Sequence, residues 1–247
     1  MKFFAPEVVQ TSAMDCGPAS LKALLAGFDV NVSYGRLREA CQTDVDGTSI
    51  DTLEEIANQL GLMAEQVMIP ADHLLVPSAQ SLPAIVVIVL PNGLTHFVVV
   101  WRTFGRWVQV MDPASGRRWQ TRKQLIQELY RHQFPVPAEG WREYAGSDDF
   151  IVPLQERMGK IGRPTAQITT DLQQATTDPS WHTLATFDAA TRFVQSLIDT
   201  QSIRSGRAAS TLLTNLAQET LHYLQNREEP DSRFDEQCPI PAAYWSV

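Results

Sequence analysis

Three side chains of this 247-residue chain have the types that thiol chemistry requires. Cys16 follows Asp15 at the predicted start of a helix, and the N-terminus of a helix lowers the pKa of a thiol. His96 lies in an apolar run that predicts a strand, and Asp112 closes the next such run. A thiolate, an imidazole and a carboxylate supply a nucleophile, a base and a group that orients the base.

Gln10 precedes the cysteine by six positions. Its side-chain amide is able to donate a hydrogen bond to the oxyanion of a tetrahedral intermediate, with the backbone N–H of Cys16 as a second donor. Simpler interpretations exist for each residue: a surface glutamine, a buried structural cysteine, a packed core histidine at His96 and a turn at Asp112. The catalytic interpretation therefore depends on the whole set.

The helices that must hold the cysteine follow from local patterns. Residues 16–26 predict a helix with Asp15 as its N-cap and Gly27 as its stop. A short helix is predicted over 34–41, and Thr48–Asp51 predicts the capping box of a third. Before the third helix, residues 44–47 predict a turn.

The strands that must hold the histidine and the carboxylate come next. Four runs are rich in β-branched and aromatic residues: 66–69, 84–90, 95–101 and 107–111. Residues 91–93 and 104–106 predict hairpin turns, and pairing about the second turn places His96 and Asp112 near the same end of a sheet. One more helix is predicted after Arg122. Helices followed by an antiparallel sheet indicate an α+β fold.

From about residue 148 the strand patterns stop. Residues 163–165 and 176–180 are typical of linkers, and apolar residues recur at helical spacing around Phe187–Ile198 and Leu212–Leu224. We therefore predict two domains, residues 1–147 with the candidate site and residues 148–247 with a linker and a small helical region of unknown role.

Composition excludes several classes of protein. The net charge of −8 argues against a nucleic-acid surface. Three widely spaced cysteines (Cys16, Cys41 and Cys238) do not form a disulfide framework, and five scattered histidines do not have zinc-ligand spacing. The chain lacks a signal-peptide pattern, and its longest aliphatic run is strand-length. These features predict a reduced, intracellular setting.

Four separated motifs together resemble peptidase family C39. They are Gln10-x₅-Cys16-Gly17, Asp46-Gly47-Thr48-Ser49, Thr95-His96-Phe97-Val98-Val99 and Asp112-Pro113. The resemblance covers roughly residues 5 to 135. It implies a papain-like cysteine peptidase in which Cys16 is the nucleophile, His96 the base, Asp112 the orienting acid and Gln10 the oxyanion residue.

The family resemblance also implies a substrate and a cellular role. C39 domains stand at the N-terminus of bacteriocin-exporting ABC transporters and cleave precursor leaders after a double-glycine motif. The implied partners are such a precursor peptide and the membrane and nucleotide-binding domains of a transporter, at the cytoplasmic, inner face of the cell membrane. No metal, organic cofactor or nucleic acid is implied.

Other interpretations stay open at this point. Some family members have lost the cysteine and only bind leaders, so a non-cleaving docking module is the main alternative. Acyl transfer or deamidation by a papain-like site is another. The chain lacks membrane spans and a Walker motif, so we expect either the N-terminal part of an exporter or a free-standing peptidase. The apolar ending Tyr244–Val247 favours the former.

Overall fold

A computed structural model describes residues 1–43, 47–131 and 137–225 of the chain. The predictions made for residues 44–46, Cys238 and Tyr244–Val247 lie outside the described residues. The described chain divides into two compact units. The first contains Met1–Leu75 and Gln80–Arg131, and the second contains Val76–Ala79 and the described residues that follow Arg131.

The first unit begins with three helices, α1 at Cys16–Gly27, α2 at Tyr34–Ala40 and α3 at Ile50–Gln59. The Ser33 hydroxyl accepts a hydrogen bond from the Arg36 N–H at 3.3 Å and caps α2. The Ser49 hydroxyl accepts from the Thr52 N–H at 3.1 Å and caps α3. The predicted cap at Thr48 is therefore one residue too early.

A four-stranded antiparallel sheet follows, in the order β1 (Ala84–Val89), β2 (Thr95–Phe104), β3 (Trp107–Asp112) and β4 (Gly116–Thr121). Gly93 and Gly105 have φ angles of +83° and +56°, as the two predicted hairpin turns require. The predicted helix after the sheet is α4, at Arg122–Glu128. These helices and the antiparallel sheet confirm the predicted α+β class.

The helix that begins at the cysteine packs on one face of the sheet. Ala23 of α1 lies in a buried cluster with Val99, Trp101 and Met111. A Cβ atom added to Gly27 would lie 2.0 Å from the Trp101 ring, so this glycine permits close packing of helix on sheet. Its predicted role as the residue that stops α1 is wrong, because Gly27 belongs to the helix.

The opposite face of the sheet is covered by the last helix of the first unit. Leu125 of α4 is fully buried in a cluster with Val98, Val100, Val108 and Val110. The sheet therefore has apolar packing on both faces near its centre, which fixes the positions of the strands that carry the candidate residues.

The second unit is helical in its described part, with α5 at Ala138–Ala145, α6 at Asp148–Ile161, α7 at Thr165–Thr177, α8 at His182–Asp199 and α9 at Arg207–Gln225. Trp141 and Phe150 meet edge to face in its core, with ring centroids 5.6 Å apart. Asp188 is fully buried and forms ion pairs with Arg157 and Arg192. Five helices fold here, where sequence spacing indicated two apolar stretches.

One predicted strand is absent from the structure, and one observed strand was not predicted. Residues 66–69 form no strand in the structure. Gly116–Thr121 is a strand that the sequence did not suggest, because two arginines and a glutamine interrupt it and its pairing with β3 supplies the stabilisation. The predicted domain boundary after residue 147 falls between α5 and α6, and it stays a prediction about where an independently folding fragment ends.

Candidate active site

The thiol of Cys16 stands at the first residue of α1 and is partly exposed. Burial raises its pKa. Hydrogen bonds with the His96 side chain and with the backbone at Phe97 and Gly17, together with the charge on His96, outweigh that effect and hold the pKa of the thiol below its usual value. The structure thus brings the candidate nucleophile and the candidate base into direct contact.

His96 lies near the start of β2 and is buried. Its Nε2 atom is 2.9 Å from Oδ1 of Asp112, which leaves Nδ1 for the thiol. Burial lowers the pKa of His96, but the hydrogen bonds with Asp112 and Cys16 and the charges of both groups raise it to about 9. The imidazole is therefore held in its protonated form beside the thiol.

Asp112, at the end of β3, is buried and surrounded by donors. Its Oδ1 accepts the Ala114 N–H at 2.8 Å, and its Oδ2 accepts the Ser115 hydroxyl at 2.8 Å and lies 3.2 Å from the Arg118 guanidinium. Burial raises the pKa of Asp112, but hydrogen bonds from His96, Ala114 and Ser115 lower it to about 2. Asp112 is thus an anion at neutral pH.

Sequence reasoning missed the residues that hold Asp112. Arg118 lies on β4, the strand that was not predicted, and its guanidinium also lies 3.3 Å from Oε2 of Glu128 on α4. Gln120 donates to the same carboxylate oxygen at 3.1 Å. The strand register is the signal that would have found Arg118, because β3 and β4 pair residue by residue from Asp112 and Gly116 onward.

Gln10 lies beside the same turn. Its N–H donates to the carbonyl of Pro113 at 2.9 Å, which ties the segment before the cysteine to the segment after Asp112. The side-chain Oε1 atom is buried and accepts no hydrogen bond from residues 1–43, 47–131 or 137–225. Within the described part of the chain, this oxygen therefore does not tie the Gln10 amide to any partner.

Asp15 is the N-cap residue of α1, as predicted, and its carbonyl accepts the Ala19 N–H at 3.0 Å, but its side chain is bound elsewhere. Its carboxylate makes no N-cap hydrogen bond. Instead it accepts the Thr11 hydroxyl at 2.8 Å and the Arg38 Nε–H at 2.9 Å, and it is fully buried. Because Thr11 lies next to Gln10 and Asp15 lies next to Cys16, this link from α2 fixes the loop between the two candidate residues.

The Gly-Thr-Ser part of the second motif lies against the nucleophile. A Cβ atom on Gly17 would be 3.0 Å from Cβ of Thr48, so the glycine allows the two segments to touch. Gly47 has a φ angle of +89°, a backbone angle that residues other than glycine rarely adopt. Asp46, the first residue of the motif, lies outside the described residues.

The remaining candidate groups are less reactive or dispersed. Cys41 is buried, and burial raises the pKa of its thiol to about 11. Among the described residues, no three His, Cys, Asp or Glu side chains are grouped so that they could hold a metal ion. Within the same ranges, no helix has the length and apolar character needed to cross a membrane.

Comparison with known proteins identifies the family. A family model described as the peptidase C39 family matches residues 5–132, which include Gln10, Cys16, His96 and Asp112. The chain belongs to the peptidase C39 family. The C39 match ends at residue 132, one residue after the end of the first compact unit at Arg131, and it does not extend into the helices of the second unit.

Two relatives are transport proteins that are much longer than the region matched to this chain. The chain is 29% identical over 121 residues to the lactococcin-G-processing and transport ATP-binding protein LagD of Lactococcus lactis, and 33% identical over 104 residues to the pediocin PA-1 transport/processing ATP-binding protein PedD of Pediococcus acidilactici. These matches cover 49% and 42% of this chain, but only 17% and 14% of the relatives.

For one other relative, the match covers most of the relative's own length. The chain is 28% identical over 159 residues to the probable functional amyloid protease FapD of Pseudomonas fluorescens, and the match covers 61% of this chain and 69% of the relative. Among solved structures, the peptidase domain of Streptococcus ComA, a bifunctional ABC transporter, is 27% identical with a TM-score of 0.45, over 51% of this chain and 92% of that domain.

Proposed function

We propose that this protein is a cysteine endopeptidase that removes a double-glycine-type leader from a precursor peptide. The observation that carries the proposal is the continuous hydrogen-bonded set of Cys16, His96 and Asp112, in which the pKa of the thiol is lowered and that of the imidazole is raised. Such a set supplies a thiolate nucleophile and a protonated imidazole side by side.

The catalytic cycle uses each of these groups at a defined atom. The Cys16 thiolate attacks the carbonyl carbon of the last leader residue, and the resulting oxyanion accepts hydrogen bonds from Gln10 and the Cys16 N–H. The C–N bond breaks as His96 Nδ1 gives its proton to the departing amine, leaving a thioester. Water then attacks the thioester while His96 accepts a proton. The leader leaves as a carboxylic acid, and the thiolate is restored.

We infer small residues at the cleavage position from the partly buried setting of Cys16. Cys16 is partly buried, Gly17 is in contact with Thr48, and the Gln10 backbone is hydrogen-bonded to Pro113. A substrate residue with a small side chain reaches a partly buried thiol with the least crowding. A substrate with two small residues at this point is the class that we infer.

The inferred partner is the membrane and nucleotide-binding part of an ABC transporter, on the same or a separate chain, at the cytoplasmic face of the membrane. LagD and PedD, to which this chain is similar, are processing and transport proteins. In such an arrangement, removal of the leader accompanies export of the cargo.

A cleavage assay tests the proposal against the docking-only alternative. The protein is incubated with a peptide that ends its leader in Gly-Gly, and products are identified by mass spectrometry. We expect cleavage directly after the second glycine, no cleavage by Cys16→Ala, and unchanged leader affinity in that variant. Gln10→Ala should lower kcat by about a hundredfold with little change in KM. Leader binding without cleavage by the wild type would instead establish a docking module.

A second candidate function is favoured by the coverage of one relative. FapD, described as a probable functional amyloid protease, matches this chain over 69% of its own length, against 17% for LagD. The substrate would then be a protein of a functional amyloid system. A cleavage assay with a leader peptide that ends in Gly-Gly beside a protein of a functional amyloid system tests the two candidates directly.

A further inference from the structure

The strand register gathers aromatic and arginine side chains on one face of the sheet. Phe104 pairs with Trp107, and Arg102 pairs with Gln109. Gln109 pairs with Trp119 on the next strand. Paired residues of neighbouring strands point to the same side, so these side chains share a face. Arg117 shares it as well, because it pairs with Met111, two residues along the strand from Gln109. We define the arginine–aromatic face as Arg102, Phe104, Arg106, Trp107, Arg117 and Trp119.

The aromatic residues of this face are open to solvent. Phe104 is 73% exposed, Trp107 40% and Trp119 41%. Their rings line a cavity of about 260 Å³. Water against three neighbouring aromatic rings is unfavourable, and such a patch is typical of a surface that meets an apolar phase or partner.

Three guanidinium groups stack on aromatic rings at the same face. Arg106 lies 5.2 Å from the centroid of the Trp107 ring. Arg102 lies 4.2 Å from the ring of Phe3, and Arg117 lies 5.1 Å from the ring of Phe4. Stacking of this kind holds a cation flat against an apolar surface, so that charge and apolar area are presented together.

The sequence segment that supplies most of this face is basic, and three of its arginines, Arg102, Arg106 and Arg117, belong to the face. Residues 102–123 contain six of the 20 Lys and Arg of the chain and one of its 28 Asp and Glu. That one acid, Asp112, pairs with His96 and with Arg118 in the active site. At the margin of the face, Glu7 accepts the Arg117 N–H at 3.0 Å. A basic face on a chain of net charge −8 is complementary to a negatively charged partner.

We propose that the arginine–aromatic face binds the surface of an anionic lipid bilayer. Tryptophan and phenylalanine rings insert at the level of the headgroups, and arginines pair with the phosphates of acidic lipids. The combination fits a bilayer better than an acidic peptide or nucleic acid, because the cavity is lined by three aromatic rings that need an apolar environment, and the arginines of the face lie nearby on the same strands or in the adjoining turn. This binding is independent of leader cleavage.

Vesicle sedimentation with the full chain tests the proposal. The probes are phosphatidylcholine vesicles and vesicles with about one third phosphatidylserine. We expect binding to the acidic vesicles only, weakened by added salt. The double variant Phe104→Ser with Arg106→Gln should bind about tenfold or more weakly, since it removes an exposed ring and a cation that lie outside the proposed catalytic set.

A matched double variant controls for loss of an aromatic ring and a cation elsewhere. Phe193 on α8 is 53% exposed, and Arg207 at the start of α9 is exposed. Phe193→Ser with Arg207→Gln should bind vesicles as the wild type does, and both doubles should retain peptidase activity without vesicles. Equal losses in the two doubles, or equal binding to neutral and acidic vesicles, would overturn the proposal. The proposal would also be overturned if the Phe104→Ser, Arg106→Gln double variant bound vesicles as the wild type does and instead had a raised KM for the leader.

Discussion

Cys16 and His96 shift each other's pKa values in the directions that favour a thiolate–imidazolium ion pair. The pKa of Cys16 is lowered chiefly by contact with His96, against the opposing effect of burial. That of His96 is raised to about 9 by Asp112 and Cys16. Cys41, with only burial acting on it, has a pKa raised to about 11. The neighbours of these two cysteines thus shift their thiol pKa values in opposite directions.

Alkylation rates measure this difference directly. At neutral pH we expect iodoacetamide to modify Cys16 more than about a hundredfold faster than Cys41, because the thiolate is the reactive form. Peptide mapping by mass spectrometry gives the rate at each cysteine of the folded protein, and Cys16→Ser serves as the control for assignment. Comparable rates at the two thiols would contradict an activated Cys16.

The pH dependence of kcat/KM follows from the same pair. Activity should rise as Cys16 loses its proton, below the usual thiol pKa, and should fall as the pH rises through about 9, where His96 loses its proton. Asp112→Asn removes a hydrogen bond and a charge that raise the pKa of His96. Its alkaline limb should therefore move to lower pH. An alkaline limb that stays in place would show that another group holds the imidazolium.

At the scale of elements, the contact between α1 and β2 sets the position of the nucleophile. Gly27 touches the Trp101 ring, and the Ser20 hydroxyl donates to the carbonyl of Phe97 at 3.3 Å, next to His96. The helix that carries Cys16 is thus seated on the strand that carries the base. The packing of these two elements is therefore part of the proposed catalytic geometry.

Gly27→Ala tests this packing. Its Cβ would lie 2.0 Å from the Trp101 ring, so helix or ring must move, and we expect a loss of about 3 kcal/mol in the free energy of unfolding. Gly35→Ala in α2 is the matched control, because no atom lies within 4 Å of its Cβ. It should be neutral or stabilise by up to about 1 kcal/mol. Urea denaturation compares them, and equal stabilities would refute the packing argument.

Sequence patterns foresaw the elements whose signals are local. The three N-terminal helices, β1 to β3 and the two hairpin turns are set by capping residues, β-branched runs and glycines. β4 was not predicted, because Arg117, Arg118 and Gln120 have polar side chains. Its strand conformation comes from pairing with β3. Residues 66–69 have strand-forming composition but no strand pairing in the structure. Pairing is a tertiary property that composition does not report.

The candidate site was foreseen only in part for the same reason. Cys16, His96, Asp112 and Gln10 are identifiable from residue type, order and resemblance. Arg38 and Arg118 are not, because each acts through a long-range contact, with Asp15 and with Asp112 respectively. Supporting residues of this kind have no local motif.

At the scale of the whole molecule, the chain passes between the two units more than once. Val76–Ala79 belongs to the second unit, although the residues on either side belong to the first. Within the second unit, the Ser78 hydroxyl donates to Oε2 of Glu156 on α6 at 2.8 Å. The candidate active site nevertheless lies entirely in the first unit.

A fragment of residues 1–147 tests how far the first unit is self-sufficient. We expect it to fold and to cleave a double-glycine leader, because the catalytic candidates and the buried clusters around the sheet precede residue 132. Val76–Ala79 should exchange amide hydrogens faster than in the full chain, since Glu156 is missing. Circular dichroism, a cleavage assay and hydrogen exchange provide the readouts. An unfolded fragment would show that the helices after residue 147 complete the fold.

The contact between Cys16 and His96 also has a consequence during synthesis. A ribosome releases Cys16 about 80 residues before His96, so the nascent chain carries this thiol for a time without its imidazole. An unpaired thiol near neutral pH is mostly protonated and reacts slowly. His96 and Asp112, by contrast, leave the ribosome close together on one hairpin. We therefore expect Cys16 to become reactive only when the hairpin folds back onto α1, so that the growing polypeptide does not carry an activated thiol before that step.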